Sequence, residues 1–287
     1  MELRDIFLNL CRCLFRIVAW KADKFWFEGS VAKGYMMLKI NALVSVIMPA
    51  YNAERYIEEG ITSVLNQSHK NIELIIVNDC PTDNTLKLVE NIAQKDNRVV
   101  VINNSFNLGC AESRNRALAI ARGEYIAFCD SDDVWAENKI EKQLNHIKEN
   151  DVDMVFTAYE MIDGSGKQIK YRNVKEKISM DDLLRENIVI FSTTFFRRGA
   201  IGNIRFNAQW FHEDYIFLLE CLQKGLVFVG IDEYLVKYRV HTQGRSFNKF
   251  GAAKHRWKIY REFLHLNMWE SFYFFFQYIV NGLKKYS

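Results

Sequence analysis

Short apolar runs that recur between stretches of helical periodicity constrain this chain most. Val44-Ser45-Val46-Ile47-Met48 is ended by Pro49, and Ile72–Val77, Val99–Ile102, Tyr125–Cys129 and Met154–Tyr159 follow. Between them, Glu54–Leu65, Thr85–Lys95, Ala111–Ala121 and Lys139–Glu149 read as helices, with Leu86, Val89, Ile92 and Ala93 on one face of the second. Gly123 is expected to close the third helix from just past its end. Strands this short and this apolar are buried on both faces, so the pattern predicts an α/β fold with a mostly parallel sheet flanked by helices. Such a sheet binds ligands beyond the carboxyl ends of its strands, near the point where strand order reverses. Asn52, Asp79 and Asp130 all fall just past strand ends, which places them on one rim.

After residue 160 the alternation weakens. Ile162–Gly166 reads as a hairpin turn, Asp181–Asn187 as a short helix, Thr193–Arg197 and Val227–Val229 as strands, and Asp214–Gln223 as a helix. The 287 residues, 49% hydrophobic and 25% charged, suit one substantial core with appendages. Two prolines and 14 glycines argue against long disordered linkers, and a net charge of +3 is too weak to point to nucleic acid. Six cysteines without paired CxxC spacing argue against a zinc framework and fit a reducing compartment. The first residues lack the continuous apolar core of a secretory signal, and no stretch reaches the ~20 apolar residues of a spanning helix.

The stretch FCDSDDVW sets Asp130, Asp132 and Asp133 at the end of an apolar strand. Like charges this close repel, and carboxylates beside a core are costly unless something neutralises them. A helix N-cap accounts for one acidic residue and poorly for three. A divalent cation with a phosphorylated ligand accounts for the cluster, since Mg²⁺ and Mn²⁺ take carboxylate and phosphate oxygens. The glycine-rich loops of dinucleotide dehydrogenases and P-loop enzymes are missing, so metal and basic side chains are left to handle phosphate charge.

VSVIMPAYNAERYI, then NQSHKNIELIIVNDCPTDNT, then NLGCAESRNRALAIARGEYIAFCDSDD strongly resemble the family 2 inverting glycosyltransferases over roughly residues 43–245. The resemblance implies a GT-A fold, a nucleotide-sugar donor and a divalent metal, Mn²⁺ or Mg²⁺. It makes Pro49, Tyr51, Asn52 and Glu54 the first donor loop and Asp79 the acid that reads a uracil edge. It puts Arg114 near the nucleotide and makes Asp130 and Asp132 the D-x-D pair around Ser131, with Asp130 on ribose or metal and Asp132 on metal. Asp133 is left to support the loop. In Trp210-Phe211-His212-Glu213-Asp214, Asp214 resembles the general base and Glu213 a group that orients the acceptor or the loop. His241 is implied on metal or phosphate and Arg245 on phosphate. The sequence departs from the family at Asp79-Cys80-Pro81, where D-G-S is usual, and it lacks the Q-x-x-R-W motif of processive synthases. That favours transfer of a single sugar.

The implied organisation has an amphipathic basic and aromatic segment at 1–40, a transferase domain at 41–248 and an aromatic, basic helical segment at 249–287. The domain divides into a nucleotide-binding half at 41–135 and an acceptor half at 136–248. Each terminal segment reads either as a helix packed on the domain or in a homodimer, or as an interfacial helix on an anionic membrane. The expected protein is a cytoplasmic enzyme, peripheral on the cytoplasmic face of a bacterial inner membrane. It uses a UDP-sugar and a saccharide or lipid-linked acceptor in surface polysaccharide or lipopolysaccharide assembly. A nucleotidyltransferase and a non-catalytic membrane scaffold are the alternatives.

Overall fold

The computed structural model describes residues 41–241 and 249–286. The readings of residues 1–40 and of Arg245 lie outside the described residues. From Leu43 onward the described residues form one compact unit. In chain order the first elements are β1 (Val44–Ala50), α1 (Ile57–Leu65), β2 (Ile72–Asn78), α2 (Thr85–Ala93), β3 (Val99–Asn103), α3 (Cys110–Ile120) and β4 (Tyr125–Phe128). Then come β5 (Val134–Trp135), α4 (Lys139–Glu149), β6 (Met154–Ile162), β7 (Gln168–Arg172), β8 (Lys177–Ile178), α5 (Met180–Arg185) and β9 (Phe195–Arg197). The chain continues through α6 (Arg198–Ile201), α7 (Glu213–Gln223), β10 (Phe228–Arg239), α8 (Lys249–Lys258), a π-helical turn (Ile259–Phe263) and α9 (Met268–Tyr286).

Neighbouring strands run β3-β2-β1-β4-β9-β6-β10-β5. The first four are parallel, because each returns through a helix, and β1 pairs with both β2 and β4. Strand order therefore reverses at β1–β4, which opens a crevice at the carboxyl ends where Ala50, Asn78 and Phe128 finish. Every residue of β2 is buried, as a strand covered on both faces requires. The mixed character expected past residue 160 comes from antiparallel strands: β7 against β6, β8 against β10, and β9 against β4 and β6.

Some local expectations change. The strand expected at Val227–Val229 extends from Phe228 to Arg239. Its pairing with β6 shifts register between Ile231 and Tyr234 and again before Val236, so the bulges break the alternation that marks a strand. Gly123 does not close α3: the cap residue Ala121 is extended at φ −60° and ψ 126°. Its glycine is required by close approach, since a Cβ there would stand 2.5 Å from the Ser45 backbone nitrogen. That approach lets Ser45 Oγ accept the Gly123 N–H at 2.8 Å while donating to Glu73 at 2.6 Å.

Below the crevice lies an aromatic core. Phe206 stacks on Phe217 at 4.3 Å, and Phe128 meets Phe191 at 4.5 Å and Phe206 at 5.6 Å. The C-terminal helices pack into the same core through Ile259, Tyr260 and Phe274. Arg256 lies 3.6 Å over the Tyr215 ring, and Asn281 donates to the Arg185 carbonyl at 3.3 Å. One face of α9 is thus buried at Ser271 and Phe274, while Trp269, Phe272, Tyr273 and Phe276 face outward. Among the described residues no helix is long and apolar enough to cross a membrane.

Gly123→Ala is expected to lower unfolding free energy by about 2–3 kcal/mol through overpacking against backbone that cannot retreat, measured by urea denaturation.

Candidate active site

A cavity of about 630 Å³ occupies the crevice. It is lined by Pro49, Ala50, Tyr51 and Asp79 beyond β1 and β2, by Arg114 of α3, by Asp130, Ser131 and Asp132 after β4, and by Phe211, His212, Glu213 and Asp214 at the start of α7. Residues from both halves of the sequence therefore share one space.

Asp79 leaves β2 and is buried. Its Oδ1 accepts from Asn104 Nδ2 at 2.7 Å and from the Leu108 N–H at 2.8 Å, and its Oδ2 accepts the Gly109 N–H at 2.8 Å. The carboxylate thus shapes the loop before α3, and its remaining acceptor capacity faces the cavity. Asn52 and Glu54 support the neighbouring turn and do not line the cavity. Asn52 Oδ1 accepts the Thr82 N–H at 2.8 Å, and Glu54 Oε2 accepts the Asn84 N–H at 2.9 Å. Asn52 and Cys80 hold positive φ of 47° and 56°. Cys80 stands where the resembled turn has glycine, so this turn carries backbone strain beside the loop that follows β1.

Arg114 is buried in α3 and reaches two of the carboxylates of the site. Its Nη2 donates to Asp130 Oδ1 at 2.7 Å and its Nη1 to Glu213 Oε1 at 3.4 Å. The guanidinium lies 4.8 Å from the Phe191 ring centre and 5.4 Å from that of Phe206. Burial opposes its charge, but Cys110, Asp130, Glu213 and Asp214 outweigh that and raise its pKa. Burial raises the Asp130 pKa, Arg114 opposes the rise, and Asp132 adds to it.

Asp132 accepts a hydrogen bond or proton-shared contact from His241 Nε2 at 2.6 Å. The hydrogen bond to Asp132 raises the His241 pKa above its ordinary value, with burial working against it. Among the described residues no group of three or more His, Cys, Asp or Glu side chains is disposed to hold a metal ion. Asp132 and His241 are brought together, whereas Asp130 is held by Arg114. A hard carboxylate beside an imidazole, next to a cavity, fits a divalent cation whose other ligands come from a diphosphate.

Asp133 is fully buried, and burial beside Asp132 and Asp130 pushes its pKa well up. It accepts the Arg239 N–H at 2.9 Å, so it braces the loop, as its place in the motif implied. Sequence reasoning missed the rest of that brace. Arg239 Nε donates to the Asp132 carbonyl at 2.9 Å and its Nη2 to Glu59 at 2.7 Å, while its guanidinium lies 4.3 Å over the Tyr56 ring. Gly60 keeps α1 close to this loop, since a Cβ there would meet the Ser131 carbonyl at 3.1 Å. Arg239 and His241 are two residues apart along one extended stretch, which was the available signal: alternate residues share a face. Ser192, whose Oγ accepts the Asp130 N–H at 3.0 Å, left no such signal.

Asp214 sits in the first turn of α7, where the helix dipole favours a carboxylate, and its Oδ1 accepts the Tyr215 N–H at 2.7 Å. Arg114→Met is expected to cost about 3 kcal/mol of stability in urea unfolding, because it strands two carboxylates beside a core. Arg114→Lys should recover only part of that, since one ammonium cannot copy a guanidinium that spans both.

Comparison with known proteins agrees with this geometry. Residues 45–219 match the model of glycosyl transferase family 2. The chain is 38% identical over 244 residues, covering 85% of it and 97% of the relative, to the putative teichuronic acid biosynthesis glycosyltransferase TuaG of Bacillus subtilis. It is 32% identical over 246 residues, covering 85% and 95%, to WfgD of Escherichia coli, a UDP-Glc:alpha-D-GlcNAc-diphosphoundecaprenol beta-1,3-glucosyltransferase. Among solved structures, Staphylococcus aureus TarS 1–349 in complex with UDP-GlcNAc superposes with a TM-score of 0.66 at 22% identity, covering 82% of this chain and 71% of that one. The sheet, its switch-point cavity and these likenesses make the chain a member of glycosyl transferase family 2 with a GT-A fold.

Proposed function

We propose that this glycosyltransferase moves one sugar, with inversion, from a UDP-sugar to a saccharide acceptor carried on a lipid diphosphate. The observation that carries this reading is the single cavity lined by Asp79, Asp130, Asp132 and Asp214. WfgD uses UDP-Glc and a diphosphoundecaprenol-linked sugar by its name, and TarS has been solved with UDP-GlcNAc. The base of the nucleotide lies at the Pro49–Tyr51 and Asp79 end, and the diphosphate lies toward Asp132 and His241. Arg245 is a further candidate phosphate contact.

Asp132 and His241 would hold a Mn²⁺ or Mg²⁺ ion, which when bound neutralises charge on the departing diphosphate. Asp214 accepts the proton of the acceptor hydroxyl as that oxygen bonds to the anomeric carbon. The bond from that carbon to the diphosphate oxygen breaks on the opposite face, so the configuration inverts and UDP leaves with the electron pair. Glu213, fixed by Arg114, keeps the start of α7 in register with the donor side. The outward face of α9, with Trp269, Phe272 and Phe276, would rest on the anionic surface of the membrane that holds the acceptor.

Asp214→Asn is expected to lower kcat by about 10²–10⁴ while leaving UDP binding intact, measured by UDP release against UDP-sugar and acceptor. Asp132→Ala should abolish the stimulation of that release by Mn²⁺. Pyrophosphate in place of UDP as the product would make the chain a nucleotidyltransferase instead. Vesicles containing phosphatidylglycerol should co-sediment the protein, and Phe272→Ser with Phe276→Ser should release it; retention of the variant would refute the membrane face.

A further inference from the structure

The segment that delivers Glu213 and Asp214 to the cavity is held from behind by the C-terminal helices. The Trp210 ring meets Phe263 edge-on at 5.7 Å, under the Lys258 ammonium at 5.3 Å. The Phe211 ring lies flat on His255 of α8, with ring centres 4.8 Å apart and planes at 12°. His212 meets the same His255 edge-on at 6.4 Å and Phe211 at 4.9 Å. One residue further along α8, Arg256 caps the Tyr215 ring at 3.6 Å. Residues on both sides of the Glu213–Asp214 pair are therefore fixed by one helix and the turn that follows it.

Packing alone does not explain this arrangement. Phe211 and His212 are only half-buried, and both line the cavity beside Asp214. Tyr51 and Tyr238 also line the cavity, but Phe211 and His212 are the rings that lead directly into Glu213 and Asp214. A pyranose has two kinds of surface: C–H faces that pack on an aromatic ring, and a rim of hydroxyls that seek carboxylates. A ring already held flat by His255 meets such a face at little cost in side-chain entropy.

We propose that Phe211 and His212, held in place by His255 of the C-terminal helix, form the stacking platform for the acceptor pyranose and present one of its hydroxyls to Asp214. This inference rests on the glycosyltransferase reading above. It makes the C-terminal segment a wall of the acceptor site as well as a surface facing outward.

The test uses the full chain loaded with UDP and Mn²⁺. Saturation-transfer NMR is recorded with the methyl pyranosides of glucose, galactose and N-acetylglucosamine, and thermal unfolding reports UDP binding in parallel. At least one pyranoside should show saturation at its C–H ring protons. Phe211→Ala and His255→Ala should each weaken it about fivefold to tenfold, while Phe211→Tyr keeps it, in line with the worth of one aromatic contact. Throughout, the UDP-induced thermal shift should match that of the parent, which also reports that each variant is folded. Should Phe211→Ala not fold, Phe211→Leu and His255→Ala carry the comparison. Equal pyranoside binding in parent and variants, or none in a parent that binds UDP, would overturn the platform alone. A parent that binds no UDP would overturn the donor reading and the platform with it.

Discussion

The site depends on one buried guanidinium. Asp130 lies just past β4 and Glu213 begins α7 much later in the chain, and Arg114 binds both. Without it the two carboxylates and Asp214 would face one another across a desolvated gap, and like charges there repel strongly. The aromatic core beneath is what keeps Arg114 in place, with Phe191 and Phe206 close to the guanidinium plane. A surface salt bridge would contribute little, but a cation this buried fixes the distance between the loop after β4 and the start of α7.

The acidic residues divide by what they are bonded to. Asp132 and Asp214 line the cavity with one identified contact each, to His241 and to the Tyr215 N–H. Asp79 and Asp133 are buried and shape loops through backbone N–H groups. Structural carboxylates of this kind hold the backbone in place, so the carboxylates that line the cavity are held in position by the surrounding loops. Arg239 serves the same end from β10, tying the Asp132 carbonyl to Glu59 on α1.

Much of the fold was legible because buried strands must be apolar and their return helices amphipathic. The strands from Val44 to Phe128 fall within a residue or two of their expected limits. Where pattern reading failed, a physical reason is visible. Bulges in β10 scramble its alternation. Gly123 serves an approach to Ser45, 78 residues away in sequence, which no local rule reports. Helix α1 starts at Ile57 instead of Glu54 because the chain first makes a turn, with the Tyr56 and Ile57 N–H groups both donating to the Ala53 carbonyl at 2.9 Å.

By itself the sequence determined the parallel half of the sheet, the rim on which polar residues gather, and the residue types able to carry phosphate and proton chemistry. Those follow from local periodicity and from the cost of burying charge, which act over a few residues at a time. Tertiary structure alone decided which of those residues meet. It made Arg114 a bridge between two carboxylates. It gave Asp132 to His241, and it set His255 behind Phe211. Each of these pairs joins residues far apart in the chain, and only the packing of helices on a sheet with one switch point brings them within reach.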